Sequence, residues 1–196
     1  MTKGKIGVLI ESHFDETEYR KFNEFFPAND YEVEYISYLW DQPSLTFQGN
    51  DLTAEAKVTT CVTKVQPNDY KGIILIGGYA MDRLRYEEHV SPGQPNKSPA
   101  VEFLRKAVIV MDTGRLKIGT ICHSMWLFCA DPKLIKGRKM TCAHNIMCDV
   151  INAGGEVVFG DNQLKDVFVD GGLISGRHPG VVEEFLKTFF NELTKA

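Results

Sequence analysis

Much of what this 196-residue chain could be is excluded by what it lacks. No apolar run approaches the ~18 residues that a membrane-spanning helix needs. The opening residues, Met1-Thr2-Lys3-Gly4-Lys5, lead straight into a strand-like run, without the apolar core of a secretory leader. A cytoplasmic address with no membrane partner is the expectation. The five cysteines (Cys61, Cys122, Cys129, Cys142, Cys148) include no C-x-x-C pair. Their odd number argues against a disulfide framework, and their spacing against a standard zinc site. Basic residues are not in excess: 22 Lys and Arg against 26 Asp and Glu leave a net charge of -4, which gives nucleic acid no electrostatic attraction. Internal repeats and low-complexity segments are absent too. What remains, 43% hydrophobic and 24% charged residues, suits a single globular domain over 1–196 that can bury a core without staples.

Within that frame, short apolar runs alternate with helical patterns. Residues 5–10 read as a buried strand ending in the polar cluster Glu11-Ser12-His13. Asp15-Glu16-Thr17-Glu18 opens a helix through about Phe26, its acids placed in the first turn, where the helix dipole favours them. Residues 27–30 break it. Residues 31–38 alternate as a second strand, and 39–53 carry turn residues that predict a short hairpin off the main sheet. Strands follow at 58–62 and 72–76, the second stopped by Gly77-Gly78, and a short helix follows near 81–85. The Pro- and Gly-rich stretch 91–99 reads as a local insertion. The helix over 100–113 ends at Gly114, and 117–121 is a β-branched strand that turns abruptly into a helical pattern at Cys122-His123. Beyond it the sequence predicts strands at 139–142 and 156–159, a helix at 146–152, a hairpin at 167–176 with an Asp-Gly turn, and a last helix at 181–193. The alternation predicts an α/β sandwich with a mainly parallel central sheet, in which ligands bind beyond the C-terminal strand ends. Glu11-Ser12-His13, Gly77-Gly78 and Cys122-His123 all fall on that edge.

The junction after residue 121 carries the chemistry. A strand ending in a tight turn before a helix can hold a side chain out as a nucleophile elbow, where the helix N-terminus should ease loss of a thiol proton. Cys122 is therefore read as a reactive thiol rather than a small core residue. His123 could act as its base or be an uninvolved surface ring. Its backbone N–H is the better candidate, as an oxyanion donor beside the nucleophile. Gly77-Gly78 could simply end a strand, or could turn a backbone N–H toward a reacting oxygen. Glu18 is either a helix-face carboxylate or, if its helix starts beside the elbow, a partner that shares a proton with the thiol. His13, Ser124 and His144 are further pocket candidates. A metal reading of Cys142, His144 and Cys148 is set aside, because C-x-H-x-x-x-C is not a structural zinc spacing.

Several motifs in this order resemble one family. They are Val8-Leu9-Ile10 leading to Asp15-Glu16-Thr17-Glu18, then Ile74-Leu75-Ile76-Gly77-Gly78 and Ile121-Cys122-His123. Residues 134–139, 149–154 and 169–177 continue the match. The chain resembles the ThiJ/PfpI family of the class I glutamine amidotransferase-like superfamily over nearly its whole length. That resemblance implies a flavodoxin-like sandwich, homodimers or larger homo-oligomers, and no cofactor. It also implies Cys122 as nucleophile, Glu18 as the acid bonded to it, and Gly78 and His123 as oxyanion-hole amides. In the peptidase-like branch a neighbouring subunit's carboxylate completes Cys-His-acid, and Asp82 falls at that position, one methylene shorter than Glu. Ser124-Met125 replaces the common Gly-Pro, and 91–99 is longer than in compact members. The implied activity is glyoxalase- or deglycase-like chemistry on a small carbonyl compound or a modified protein or peptide. The alternatives are peptide hydrolysis by Cys122, His123 and Asp82, and a redox-responsive stress protein or chaperone that senses through Cys122.

Overall fold

The computed structural model describes residues 2–195. Its main sheet has seven strands, which run from edge to edge as Val167–Asp170, Leu173–Gly176, Lys117–Ile121, Gly72–Leu75, Gly4–Leu9, Tyr31–Ser37 and Thr60–Cys61. Every neighbouring pair is parallel except Val167–Asp170 with Leu173–Gly176. Parallel strands covered by helices on both faces have no solvent side, hence their continuous apolar runs. Ile6, Val8, Leu9, Ile73, Ile74, Leu75 and Ile118 are accordingly fully buried.

Helices Glu16–Ala28 and Val182–Thr194 cover one face, joined by the edge-on pairs Phe25–Phe190 (5.9 Å) and Phe26–Phe189 (6.2 Å). Helix Pro99–Asp112 lies on the other face. A Cβ on Gly119 would come within 2.8 Å of the Phe185 ring. The missing side chain thus lets the last helix press on the strand that carries Cys122. This is the flavodoxin-like α/β sandwich with the mainly parallel sheet that the sequence predicts.

Several boundaries depart from the sequence reading for local reasons. The first helix runs through Pro27 to Ala28 and closes with Asn29 N–H donating to Phe26 O (3.0 Å). A proline in the last turn sacrifices one helical hydrogen bond, and no further turn follows. The hairpin near 39–53 pairs Leu45–Gln48 with Glu55–Val58, so the strand expected at 58–62 divides. Val58 ends the hairpin, Thr60–Cys61 joins the main sheet, and Val62–Lys64 coils into a 3-10 turn. The strand expected at 139–142 is only Lys139–Met140. Glu156–Val157 pairs with it, while Phe159–Gly160 leaves to form a separate hairpin with Gln163–Leu164. Asp161 (φ 51°) and Asn162 (φ 64°) make that reversal in the left-handed conformation that tight hairpins require. The loop between Asp170 and Leu173 is Gly171-Gly172, not Asp-Gly.

Candidate active site

The parallel register places the chemistry. Leu9 lies opposite Leu75, and Leu75 opposite Thr120. The chain therefore leaves three adjacent strands at one level, through Ile10-Glu11, Ile76-Gly77-Gly78 and Ile121-Cys122. Cys122 sits in the left-handed region at φ 60°, a strained position for a residue with a Cβ. Hydrogen bonds on every side hold it there. Its N–H donates to Gly176 O (2.9 Å), its carbonyl accepts from Ala143 N–H (3.0 Å), and Ser124 Oγ accepts from Ile121 N–H (2.7 Å). Ser124 is fully buried in that staple, so it braces the elbow instead of lining a pocket. The helix beyond is a single turn, Trp126–Cys129, because Pro132 follows and Asp131 turns to an extended φ of -138°. The helix-dipole assistance expected at the thiol is thus largely missing.

Glu18 is fully buried. Its Oε2 accepts from Gly77 N–H (2.6 Å), and its Oε1 has no hydrogen-bond partner among the described residues. A Cβ placed on Gly77 would lie 2.6 Å from Glu18 Oε1 and 2.9 Å from Cys122 Cβ. Gly77 is therefore the gap that lets acid and thiol approach, a role more specific than ending a strand. The helix start delivers Glu18: Asp15 caps it by accepting from Glu18 N–H (3.0 Å). Gly78 (φ 72°) turns against His13, and a Cβ there would overlap His13 O. His13, itself at φ 62°, contributes that carbonyl, which accepts from Tyr79 N–H (2.8 Å); its side chain is not in the cavity wall.

Electrostatics correct one expectation. The Cys122 thiol is not eased toward thiolate but pushed up to about 12, first by burial and second by the Glu18 charge. The backbone N–H groups of Gly78 and His123 favour a charged sulfur and oppose that rise. Glu18 is itself pushed well up, by burial first and Asp15 second. A Glu18 that keeps its proton exerts no anionic repulsion on the sulfur. Burial also lowers His123, so the ring favours its neutral form.

His123 Nδ1 lies 3.0 Å from Cys122 Sγ, so ring and thiol meet even though neighbouring side chains usually diverge. The ring is stacked on Tyr79 (5.7 Å between centroids) and tilted against Trp126 (5.0 Å). Trp126 is pinned by donating from Nε1 to Asp149 Oδ2 (2.9 Å). A cavity of about 470 Å³ opens over Cys122, with Gly78, His123 and His144 in its wall. Within one chain Asp82 does not reach it. That carboxylate is paired with Arg85 (2.5 Å) and borders a different cleft. Cys142 is buried and Cys148 exposed, and with His144 they form no metal-like cluster among the described residues.

The sequence profile of the DJ-1/PfpI family matches residues 4–192. The chain belongs to that family. It is 33% identical to Deglycase PfpI of Pyrococcus furiosus over 133 residues, 68% of each chain. It is 30% identical to Protein/nucleic acid deglycase 2 of Escherichia coli over 153 residues, 78% of each. In structure it is similar to a two-domain protein from Anabaena variabilis containing DJ-1/ThiJ/PfpI-like and ferritin-like domains. The TM-score is 0.79 at 22% identity, covering 97% of this chain and about half (48%) of that one. Against this DJ-1/PfpI background, the cavity wall includes groups that sequence reasoning passed over: Asn50, Tyr79, Asn145, Arg177 and His178. They come from four separate segments, and Tyr79, Asn145 and Arg177 carried local hints, as neighbours of Gly78 and His144 and as the end of the 169–177 motif. Among the described residues no helix is long and apolar enough to cross a membrane.

Proposed function

We propose that the chain is a cofactor-independent cysteine enzyme of the deglycase kind, acting on a reactive carbonyl compound or its adduct with an amine, with Cys122 as nucleophile. The observation that carries this reading is the close set around one sulfur. His123 Nδ1 stands at 3.0 Å, the Gly78 and His123 backbone amides favour its charged form, and a buried acid lies beside it. Cys122 Sγ attacks the carbonyl carbon, a C–S bond forms, and the C=O π pair moves to oxygen. The thiol proton passes to His123 Nδ1 and moves later to the alkoxide or the departing amine; water then adds at the bound carbon, the C–S bond breaks with its electron pair going to sulfur, and the proton left by the water restores the thiol. The Gly78 and His123 amides donate to the developing oxyanion, and one such donor is worth roughly 3 kcal/mol in the transition state. For a 2-oxoaldehyde the conversion to a 2-hydroxy acid adds only water: the aldehyde carbon is oxidised as the ketone carbon is reduced. No external redox partner is required.

The polar wall favours the adduct over the free dicarbonyl. Methylglyoxal would fill only a small part of a cavity of about 470 Å³, whereas Asn50 and the guanidinium N–H groups of Arg177 beyond the one held by Asp166 offer hydrogen bonds to a larger substrate. The names of the Pyrococcus and Escherichia relatives agree with deglycation. Peptide hydrolysis has less support, since the Asp82 it would call on is engaged by Arg85. The test compares wild type and Cys122→Ser for lactate release from methylglyoxal and from a methylglyoxal-treated peptide. The expected result is release by the wild type alone, faster from the peptide. Inertness of the wild type toward both would overturn the proposal.

A further inference from the structure

We infer that Asn145 is the positioning residue of His123, completing a Cys122–His123–Asn145 relay within one chain where family resemblance assigns a neighbouring subunit's carboxylate. This rests on the reading of Cys122 as nucleophile. Asn145 Nδ2 lies 2.8 Å from His123 Nε2, on the far side of the ring from the 3.0 Å contact between Nδ1 and Cys122 Sγ. The imidazole is thus held at both nitrogens, while Tyr79 and Trp126 hold its faces. A base needs such a third group to fix its tautomer and orientation.

The nearby carboxylates are engaged elsewhere. Asp82 pairs with Arg85, Asp149 accepts from Trp126 Nε1, and Asp15 caps the Glu18 N–H. That leaves the Asn145 amide as the partner of Nε2.

A carboxamide suits the task because it has two faces. With Nδ2–H toward Nε2 it supports the neutral ring whose proton sits on Nδ1, beside the sulfur. Turned over, it presents Oδ1 and accepts from Nε2–H, which leaves Nδ1 bare to receive the thiol proton. The imidazolium formed by that transfer carries N–H on both nitrogens and again finds Oδ1. A carboxylate in the same place would hold the ring protonated and remove the base near neutral pH. The other charged and titratable groups that bear on this ring are Asp15 and His178. Asp15 favours the imidazolium and His178 disfavours it, and the Asn145 hydrogen bond adds to the side of the imidazolium without bringing a charge.

The test reads the thiol directly. Alkylation of Cys122 by iodoacetamide, located by tandem mass spectrometry, is followed across pH for wild type, Asn145→Ala and Asn145→Asp. Unfolding midpoints are recorded alongside. Asn145→Ala should slow alkylation near neutral pH about tenfold, the orientational share of general-base assistance. Asn145→Asp should move the reactivity profile to higher pH, because the carboxylate stabilises the imidazolium. A side chain that only braces the loop would change the unfolding midpoint and leave both profiles alone; that outcome overturns the assignment. If Asn145→Ala does not fold, an unshifted profile in the near-isosteric Asn145→Asp overturns it equally. The assay needs no turnover, so a shifted profile in a protein inert toward carbonyls would sink the proposed function and leave this assignment standing.

Discussion

Two cavities flank the short helix Ala80–Leu84, and they differ in the way that matters for chemistry. The larger, about 510 Å³, is walled by Tyr38, Trp40 and Tyr86, with Glu11, Asp82 and Arg83 at its edge. Its charges are already matched: Arg83 Nε donates to Glu11 Oε1 (3.2 Å), and Arg85 holds Asp82. The smaller, over Cys122, is more polar and lies above a buried acid with a free oxygen, a strained thiol and a half-buried imidazole. Size and aromatic lining would select the first, and unsatisfied, mutually perturbing groups select the second. Catalysis needs groups with capacity left to bind a transition state. Charges neutralised by one another have little.

The largest expected effect separates the two cavities outright. Cys122→Ser should lower carbonyl turnover by at least about a thousandfold, whereas Trp40→Ala should leave it within about twofold. Steady-state rates on a common substrate read both, and a comparable loss in Trp40→Ala would move the active site to the aromatic cleft. Next comes Gly78→Ala, which combines a disfavoured φ with overlap of His13 O. Denaturant unfolding should show a loss of about 2–3 kcal/mol, accompanied by loss of turnover as the Gly78 amide shifts.

Glu18→Gln sharpens the comparison through pH. Glu18 holds its proton in the fold above its ordinary value of 4.5, so its stabilising contribution is complete below that value. That contribution is lost as pH rises through the folded-state titration. The glutamine exchanges no proton, so the variant should gain stability relative to wild type as pH rises above about 5. A constant difference in unfolding free energy over that range would show that Glu18 is already ionised. Turnover should fall about 10- to 100-fold, because the amide cannot exchange the proton of the acid. The smallest effect belongs to Asp82→Ala. Breaking its partly exposed pair with Arg85 should cost less than about 1 kcal/mol and leave Cys122 alkylation unchanged; slowed alkylation would restore Asp82 to the reacting group.

The elbow was readable because strand, glycine and cysteine lie within a few consecutive residues, where local preferences act. The Asp15 cap and the acids of the first helical turn were readable for the same reason. Pro27 misled, since a breaker signal does not say which turn it will occupy. The single-turn helix after Cys122 was hidden because an apolar pattern continues past the point where Asp131-Pro132 interrupts the backbone. Asn145 escaped because it stands 22 positions from its partner, and a lone asparagine carries no periodicity.

Sequence by itself therefore determined the parallel α/β architecture, the family and the place of Cys122 at the end of its strand, since alternation, turn chemistry and a specific order of motifs are properties of neighbouring residues. Tertiary structure alone decided the state of that thiol. Burial raises the thiol and the Glu18 carboxyl together, Gly77 sets how closely they approach, and three loops converge on His123. Protonation depends on distance and desolvation, and both are set only when separated segments pack against one another.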